Sequence, residues 1–182
     1  MNSEEQYKSL DRLIISSPKI FYDERGKNVE ILPIEVNIGN KLGKLDYQSI
    51  SYSKKNVLRG LHGDTKTWKQ IKVLKGKVFF VAVDILKDSP DYGKHYSTIL
   101  DADDLTTILL PPYMLNGHYV LSDECIFHYN MSHQYSNEQF TVSYKYYPIN
   151  WPFEIQEPIL SQRDKIKDYN EFFKKYLNDI EN

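Results

Sequence analysis

Arg59 and His62 stand three residues apart in Leu58-Arg59-Gly60-Leu61-His62, and together they offer a proton acceptor beside a fixed positive charge. An imidazole, with an ordinary pKa of about 6.5, can remove a weakly acidic proton at neutral pH. A guanidinium presents a planar fork to phosphate. The stretch reads as a strand, and alternation then puts Arg59 and Leu61 on one face and Leu58, Gly60 and His62 on the other. The two polar side chains share a site only if Gly60 bulges or kinks the strand, as glycine inside a strand pattern often does. A lone histidine there is also, and more commonly, a hydrogen-bonded core residue, so the motif alone leaves both readings open.

Other residues carry the same ambiguity. Tyr129 is one of 15 tyrosines, and a tyrosine on a strand is ordinarily a core residue with a wet hydroxyl. Lys69 opens a strand-like run and, taken alone, is a solvated edge lysine. Ser161 and Asp164 form a Ser-x-x-Asp pattern ahead of a helical tail, which is what a capping box looks like.

The elements that must position these residues are strands. Between 19 and 147, short runs of β-branched and aromatic residues are broken by Gly, Pro, Asn and Asp, the pattern of an all-β sandwich or barrel. Residues 69–73 and 75–85 are the clearest strands, joined tightly through Leu74-Lys75-Gly76. Residues 78–83 are apolar on both faces, so that strand needs cover from a second sheet and from something else, for which a dimer partner is expected. Residues 7–15 and the tail from 165 to 182 read as helices, the tail with Ile166, Tyr169, Phe172, Phe173, Tyr176, Leu177 and Ile180 at helical spacing.

The bulk properties narrow the function. The length of 182 residues fits a single domain spanning 1–182. With 23 basic and 25 acidic side chains, the net charge of -2 provides no overall field for nucleic acid or an anionic membrane, so a phosphate-bearing ligand needs a local basic pocket. Cys125 is the one cysteine, which excludes an internal disulfide and multi-cysteine zinc patterns. The first residues are polar and acidic, and no apolar stretch approaches roughly 18 residues. The expectation is a cytoplasmic protein, neither secreted nor membrane-spanning.

Six segments occur in an order that carries a family resemblance: Phe21-Tyr22-Asp23-Glu24-Arg25-Gly26, then 57–62, then 76–85, then Ser89-Pro90-Asp91-Tyr92-Gly93-Lys94. Leu110-Pro111-Pro112 with 120–124 follows, and finally Trp151-Pro152 with Ile159-Leu160-Ser161-Gln162-Arg163-Asp164. Together they resemble the dTDP-4-dehydrorhamnose 3,5-epimerase family. The resemblance implies a cupin-type jelly roll, with short N-terminal and C-terminal helices, acting as an isomerase on nucleotide-linked 4-keto sugars. The cover that residues 78–83 need makes a homodimer the expectation, and no cofactor or bound metal is expected.

A ketone at C4 acidifies the hydrogens on C3 and C5, so such an enzyme needs a base, an acid on the opposite ring face and a positive group near O4. The resemblance assigns His62 as the base and Asp164 as the carboxylate that fixes its tautomer. Tyr129 becomes the acid, and Lys69 the cation that stabilises the enolate. Arg25 and Arg59 match diphosphate ligands, Tyr135 a residue of the sugar site, and Glu30 and Gln48 residues near the nucleoside, Glu30 reaching in from the partner subunit.

Departures cluster where substrate is read. The family's Ala-His-Gly-Phe is here Leu115-Asn116-Gly117-His118, which puts Asn116 and His118 among the substrate-binding positions. Ile50 and Leu86 replace an asparagine and an arginine, and Gly63-Asp64 opens a shortened segment. These changes lead to the expectation of a GDP-linked 4-keto-heptose of bacterial capsule synthesis as substrate. The alternative is dTDP-4-keto-6-deoxyglucose of the rhamnose pathway; a non-enzymatic sugar-binding cupin is a second. A metal-dependent cupin requires converging histidines, and the spacing of His95, His118, His128 and His133 does not supply them.

Overall fold

The computed structural model describes residues 10–30, 36–38, 41–136, 138–153 and 157–181. Among them the chain forms β1 (Ile14–Ser16), β2 (Lys19–Asp23), β3 (Gly26–Glu30), β4 (Val36–Ile38), β5 (Lys41–Gly43), β6 (Tyr47–Lys54) and β7 (Leu58–Gly63). There follow β8 (Lys69–Lys75), β9 (Lys77–Asp84), β10 (His95–Asp101), β11 (Thr107–Leu110), β12 (Met114–Val120), β13 (Glu124–Met131), β14 (Phe140–Thr141) and α1 (Glu171–Glu181). Two five-stranded sheets, β1-β11-β8-β13-β6 and β10-β9-β12-β7-β14, form the jelly-roll sandwich.

Strand alternation builds the layers. Val78, Phe80 and Ala82 of β9 face Ile71, Val73 and Phe127 of the other sheet in the central core. Phe79, Val81 and Val83 point the other way, against Phe140, Val142, Trp151, Phe173 and Tyr176. The doubly apolar strand is therefore covered on its second face by the chain's own C-terminal segment, and β9 itself gives no reason for a partner. Gly76, at φ +81°, turns the chain from β8 in one sheet to β9 in the other. A Cβ there would lie 2.1 Å from the Glu124 carbonyl oxygen.

The helix expected over 7–15 is not formed where the chain is described. Residues 7–9 lie outside the described residues, 10–13 make a turn, and β1 begins at Ile14. Ile14 and Ile15 pair instead with Leu109 and Ile108 of β11, an edge position that suits β-branched residues. The tail helix also starts later than its periodicity suggests. Residues 168–170 run extended beside 141–143, with Ser143 N–H donating to the Asp168 carbonyl and Asn170 N–H to the Thr141 carbonyl. Asn170 then caps α1, accepting from the Phe173 amide at 3.1 Å.

β7 carries the decisive local irregularity. Gly60 has φ +123°, and a Cβ on it would meet the Gly117 Cα at 2.5 Å, so the β7 and β12 backbones touch where neither has a side chain. The register slips there, with His62 opposite Asn116 but Arg59 opposite His118. Leu58 and Leu61 consequently both face outward, in the clusters under the C-terminal segment. Arg59 and His62 both face inward. The kink foreseen at Gly60 is what lets them share a site.

Phe173 is 1% exposed and packs edge-on against Phe140. Phe173→Ala is expected to cost about 3–5 kcal/mol, read as a shift of the urea midpoint at unchanged slope. A loss under about 1 kcal/mol would mean that α1 is not what covers β9.

Candidate active site

Between the sheets opens a pocket of about 360 Å³ lined by residues from five strands and two connecting segments. Arg59 and His62 come from β7, Asn116 from β12, Lys69 from β8, Tyr129 from β13, and Ser49 and Ser51 from β6. Ser161, Arg163 and Asp164 arrive on a turn near the C-terminus, and Tyr135 and Gln139 on the β13–β14 connection. His62 and Tyr129 stand in different sheets, on facing walls. A larger groove, about 520 Å³, runs over Tyr52, Lys54, Lys75 and Glu124, but it lacks any such convergence of buried polar groups.

His62 Nε2 lies 2.6 Å from Asp164 Oδ1. Burial by itself would raise the Asp164 pKa, yet its hydrogen bonds to the His62 ring and Ser161 hold it below the usual carboxylate value. An ionised Asp164 accepts only, so Nε2 donates and the Nδ1 lone pair is left as the basic position. Burial pushes the His62 pKa below its ordinary value; Asp164 opposes that, while Arg163 and Lys69 reinforce it. The ring is thus neutral at neutral pH, ready to accept a proton. Asp164 N–H donates to Ser161 Oγ at 3.2 Å, so half of the capping-box geometry exists, but no helix follows and the carboxylate serves the histidine instead.

Lys69 is buried and donates to Asn116 Oδ1 at 3.2 Å. Arg59 is held by Ser53 Oγ at 3.0 Å and the Tyr52 carbonyl at 3.3 Å, which fixes its guanidinium at the pocket edge. Burial raises Tyr129 well above the ordinary phenol value, with Arg59 opposing, so its hydroxyl keeps a proton to give. Among the described residues no three His, Cys, Asp or Glu side chains gather as a metal cluster would.

Seven residues singled out from the sequence meet in this pocket: Arg59, His62, Lys69, Asn116, Tyr129, Tyr135 and Asp164. Four do not. Arg25 sits on the β2–β3 turn, 85% exposed and paired with Asp23, and Glu30 is exposed at the end of the same hairpin. Gln48 is on the opposite face of β6 from Ser49, with its Oε1 3.2 Å from His128 Nε2. His118 lies beneath the pocket between the two sheets, fully buried and stacked on Phe127 at 4.1 Å, with its pKa driven down to about 3 by burial and by Arg59 and His62.

The pocket also contains a cation that the sequence reading passed over. Arg163 donates to Thr141 Oγ1 at 2.7 Å and to the Tyr135 hydroxyl at 3.1 Å, and its guanidinium lies over the Tyr135 ring. Its one signal was adjacency to Asp164. Gln139, Ser49 and Ser51 had none, because polar residues on strands and loops are ordinarily solvated.

The model of the family dTDP-4-dehydrorhamnose 3,5-epimerase matches residues 8–171. A dTDP-4-dehydrorhamnose 3,5-epimerase of Shigella flexneri is 37% identical over 161 residues, 84% of this chain and 87% of that protein. The crystal structure of a dTDP-6-deoxy-D-glucose-3,5-epimerase from Legionella pneumophila, in complex with dTDP-4-keto-L-rhamnose, is 33% identical with a TM-score of 0.78, covering 86% of this chain and 87% of that one. A Mycobacterium tuberculosis epimerase superposes with a TM-score of 0.83 at 27% identity, covering 96% and 91%.

The electrostatics of His62 give a direct test. Its imidazole, followed by NMR, should titrate below 6.5. Asp164 raises that pKa, so Asp164→Asn should lower the midpoint further. A midpoint above 6.5 would mean that Asp164 outweighs burial at the ring, and one that stays put or rises in Asp164→Asn would show that the carboxylate does not act on it.

Proposed function

The chain belongs to the dTDP-4-dehydrorhamnose 3,5-epimerase family of isomerases, and from that premise we propose that it inverts C3 and C5 of dTDP-4-keto-6-deoxyglucose. The observation that carries the reading is the 2.6 Å His62–Asp164 contact in one wall of a pocket whose facing wall holds Tyr129. A sugar ring between the two sheets meets the base on one face and the acid on the other. His62 Nδ1 takes the proton from C3, and the electron pair moves onto O4 beside the Lys69 ammonium. Tyr129 then delivers its proton to the opposite face of the same carbon, and the carbonyl re-forms. Solvent returns the proton from imidazolium to phenolate, and C5 reacts in the same way. Asp164 stabilises the imidazolium while it lasts, and Arg59 and Arg163 take the diphosphate.

The expectation of a GDP-linked heptose, drawn from Asn116 and His118, finds no support in these relatives. In this chain Asn116 accepts from Lys69, and His118 has no surface on the pocket. Both features are compatible with a hexose. Offering dTDP-4-keto-6-deoxyglucose and a GDP-4-keto-heptose in parallel decides the point, and turnover of the heptose alone would overturn the reading.

A second copy completes the site in this proposal. Arg25, Glu30 and Gln48 lie on surfaces away from the chain's own pocket, and Phe21 and Tyr22 of the same hairpin are more than half exposed. A hairpin inserted into the neighbouring pocket would bring Arg25 to the diphosphate and bury both aromatic rings.

His62→Ala should reduce both epimerisation and deuterium entry from D2O by roughly 100- to 10,000-fold or more. Near wild-type washing of deuterium into C3 would remove His62 from the base role. Tyr129→Phe should separate the half-reactions, because His62 can still abstract a proton and return a deuteron to the face it left. The recovered sugar should carry deuterium with its original configuration, while inversion falls sharply. Equal loss of both would make Tyr129 an orienting group. For the shared site, mixing Arg25→Ala with His62→Ala subunits should restore activity, since each mixed dimer has one pocket with an intact His62 and a partner's intact Arg25. No recovery on mixing would place Arg25 in its own chain's pocket or outside any pocket.

A further inference from the structure

The pocket holds three cations, Arg59, Lys69 and Arg163, and one lining carboxylate, Asp164, already committed to His62. The guanidinium groups are partly exposed and have oxygen partners, whereas Lys69 is 5% exposed and its partner, Asn116 Oδ1, belongs to a neutral amide. A buried ammonium without a counter-charge is costly. Among the described residues the buried carboxylates are Asp64, Asp84 and Asp164. Asp84 closes on Arg12 at 2.8 Å and Asp164 on His62 at 2.6 Å, which leaves Asp64.

Asp64 is two residues beyond His62, in the loop that leads into Lys69. Its Oδ1 accepts from the Lys66 amide at 2.9 Å and the Thr67 amide at 2.6 Å, and its carbonyl accepts from Tyr113 N–H at 2.9 Å. An asparagine oxygen would accept the same amides, so this turn has no need of the negative charge. We propose that Asp64 is the counter-charge of Lys69, a positioning residue that keeps the ammonium available to O4. The inference deepens the function proposed above and rests on it.

The electrostatics agree in both directions. Burial lowers the Lys69 pKa, Asp64 acting through space raises it, and Arg163 adds to the lowering. Burial would raise Asp64, yet Lys69 first, and then the Lys66 and Thr67 amides, keep it below the ordinary carboxylate value. The other groups around Lys69 do not replace it. His62 on β7 is neutral, Tyr129 on β13 is protonated, Asn116 on β12 is uncharged, and Asp164 beside Arg163 serves the histidine.

Asp64→Asn keeps the turn and removes the charge. Side-chain isotope labelling of lysine, with the Lys69 resonance assigned by Lys69→Met, reads its protonation by NMR without substrate. In Asp64→Asn the Lys69 midpoint should fall by about one pH unit, and the alkaline limb of solvent exchange into dTDP-4-keto-6-deoxyglucose should move down with it. Asp64→Glu, which retains the charge, should bring both most of the way back. An unmoved midpoint overturns the proposal, including the case in which activity drops equally at every pH, as it would if Asp64 only shaped the turn. If Asp64→Asn fails to fold, the reciprocal measurement applies: the Asp64 carboxyl should titrate higher in Lys69→Met than in wild type, and no rise overturns the pairing. A Lys69 midpoint that falls in Asp64→Asn, where the wild-type protein has no epimerase activity, supports the pairing and rejects the proposed function instead.

Discussion

The hydrogen bond between His62 and Asp164 joins residues 102 positions apart, and much of the structure serves to make it. β14 lies beside β7, with Thr141 opposite His62. Ile159 forms a bridge with Val57, and its carbonyl accepts from Leu58 N–H. Arg163 is bonded to Thr141, and 168–170 run along 141–143. The turn that presents Asp164 is therefore fastened to β7 and β14 on both of its sides. A charge-assisted bond contributes about 1.5–3 kcal/mol, which by itself would not hold a loose tail in register; the backbone pairing does that, and the bond then sets the tautomer.

The same tail finishes the core. Phe173 and Tyr176 of α1 cover the outer face of β9, and Tyr176 hydroxyl donates to the Ile85 carbonyl. One segment thus seals the second face of a strand that is apolar on both faces from 78 to 83 and delivers the partner of the histidine. Stability and the site are coupled through it, because α1 continues directly from the 168–170 stretch whose backbone pairing anchors the turn that carries Asp164.

The division of roles between sheets follows from the sandwich itself. Residues of β7 and β12 enter the interior from one side and those of β8, β13 and β6 from the other, so a proton acceptor and a proton donor face each other across a ligand-sized gap. Below them the interior is apolar, with Phe127, Ile71 and Phe80 as floor. That floor accounts for the direction of the pKa shifts: burial moves His62 and Lys69 down and Tyr129 up, toward their neutral forms, and each is then corrected by one named neighbour. His118 shows the uncorrected case, since neither ring nitrogen has a partner among the described residues and its pKa drops to about 3.

Alternating apolar residues and turn chemistry determined the β class, the two strands on either side of Gly76 and the strand that carries Arg59 and His62, because each depends on neighbours one or two positions away. The residue types of His62, Lys69, Tyr129 and Asp164 were legible as chemistry, although their grouping came only from resemblance. What the tertiary structure alone decided is non-local. The Gly60 kink required a second glycine, Gly117, on the facing strand. The start of α1 moved to 171 because 168–170 found partners in 141–143, and helical periodicity in the tail could not reveal a competing strand partner. Arg163 joined the pocket through contacts with Thr141 and Tyr135, more than 20 residues away in the chain. Local pattern fixes which way a side chain can point, but which buried charge it meets is set by how distant segments pack.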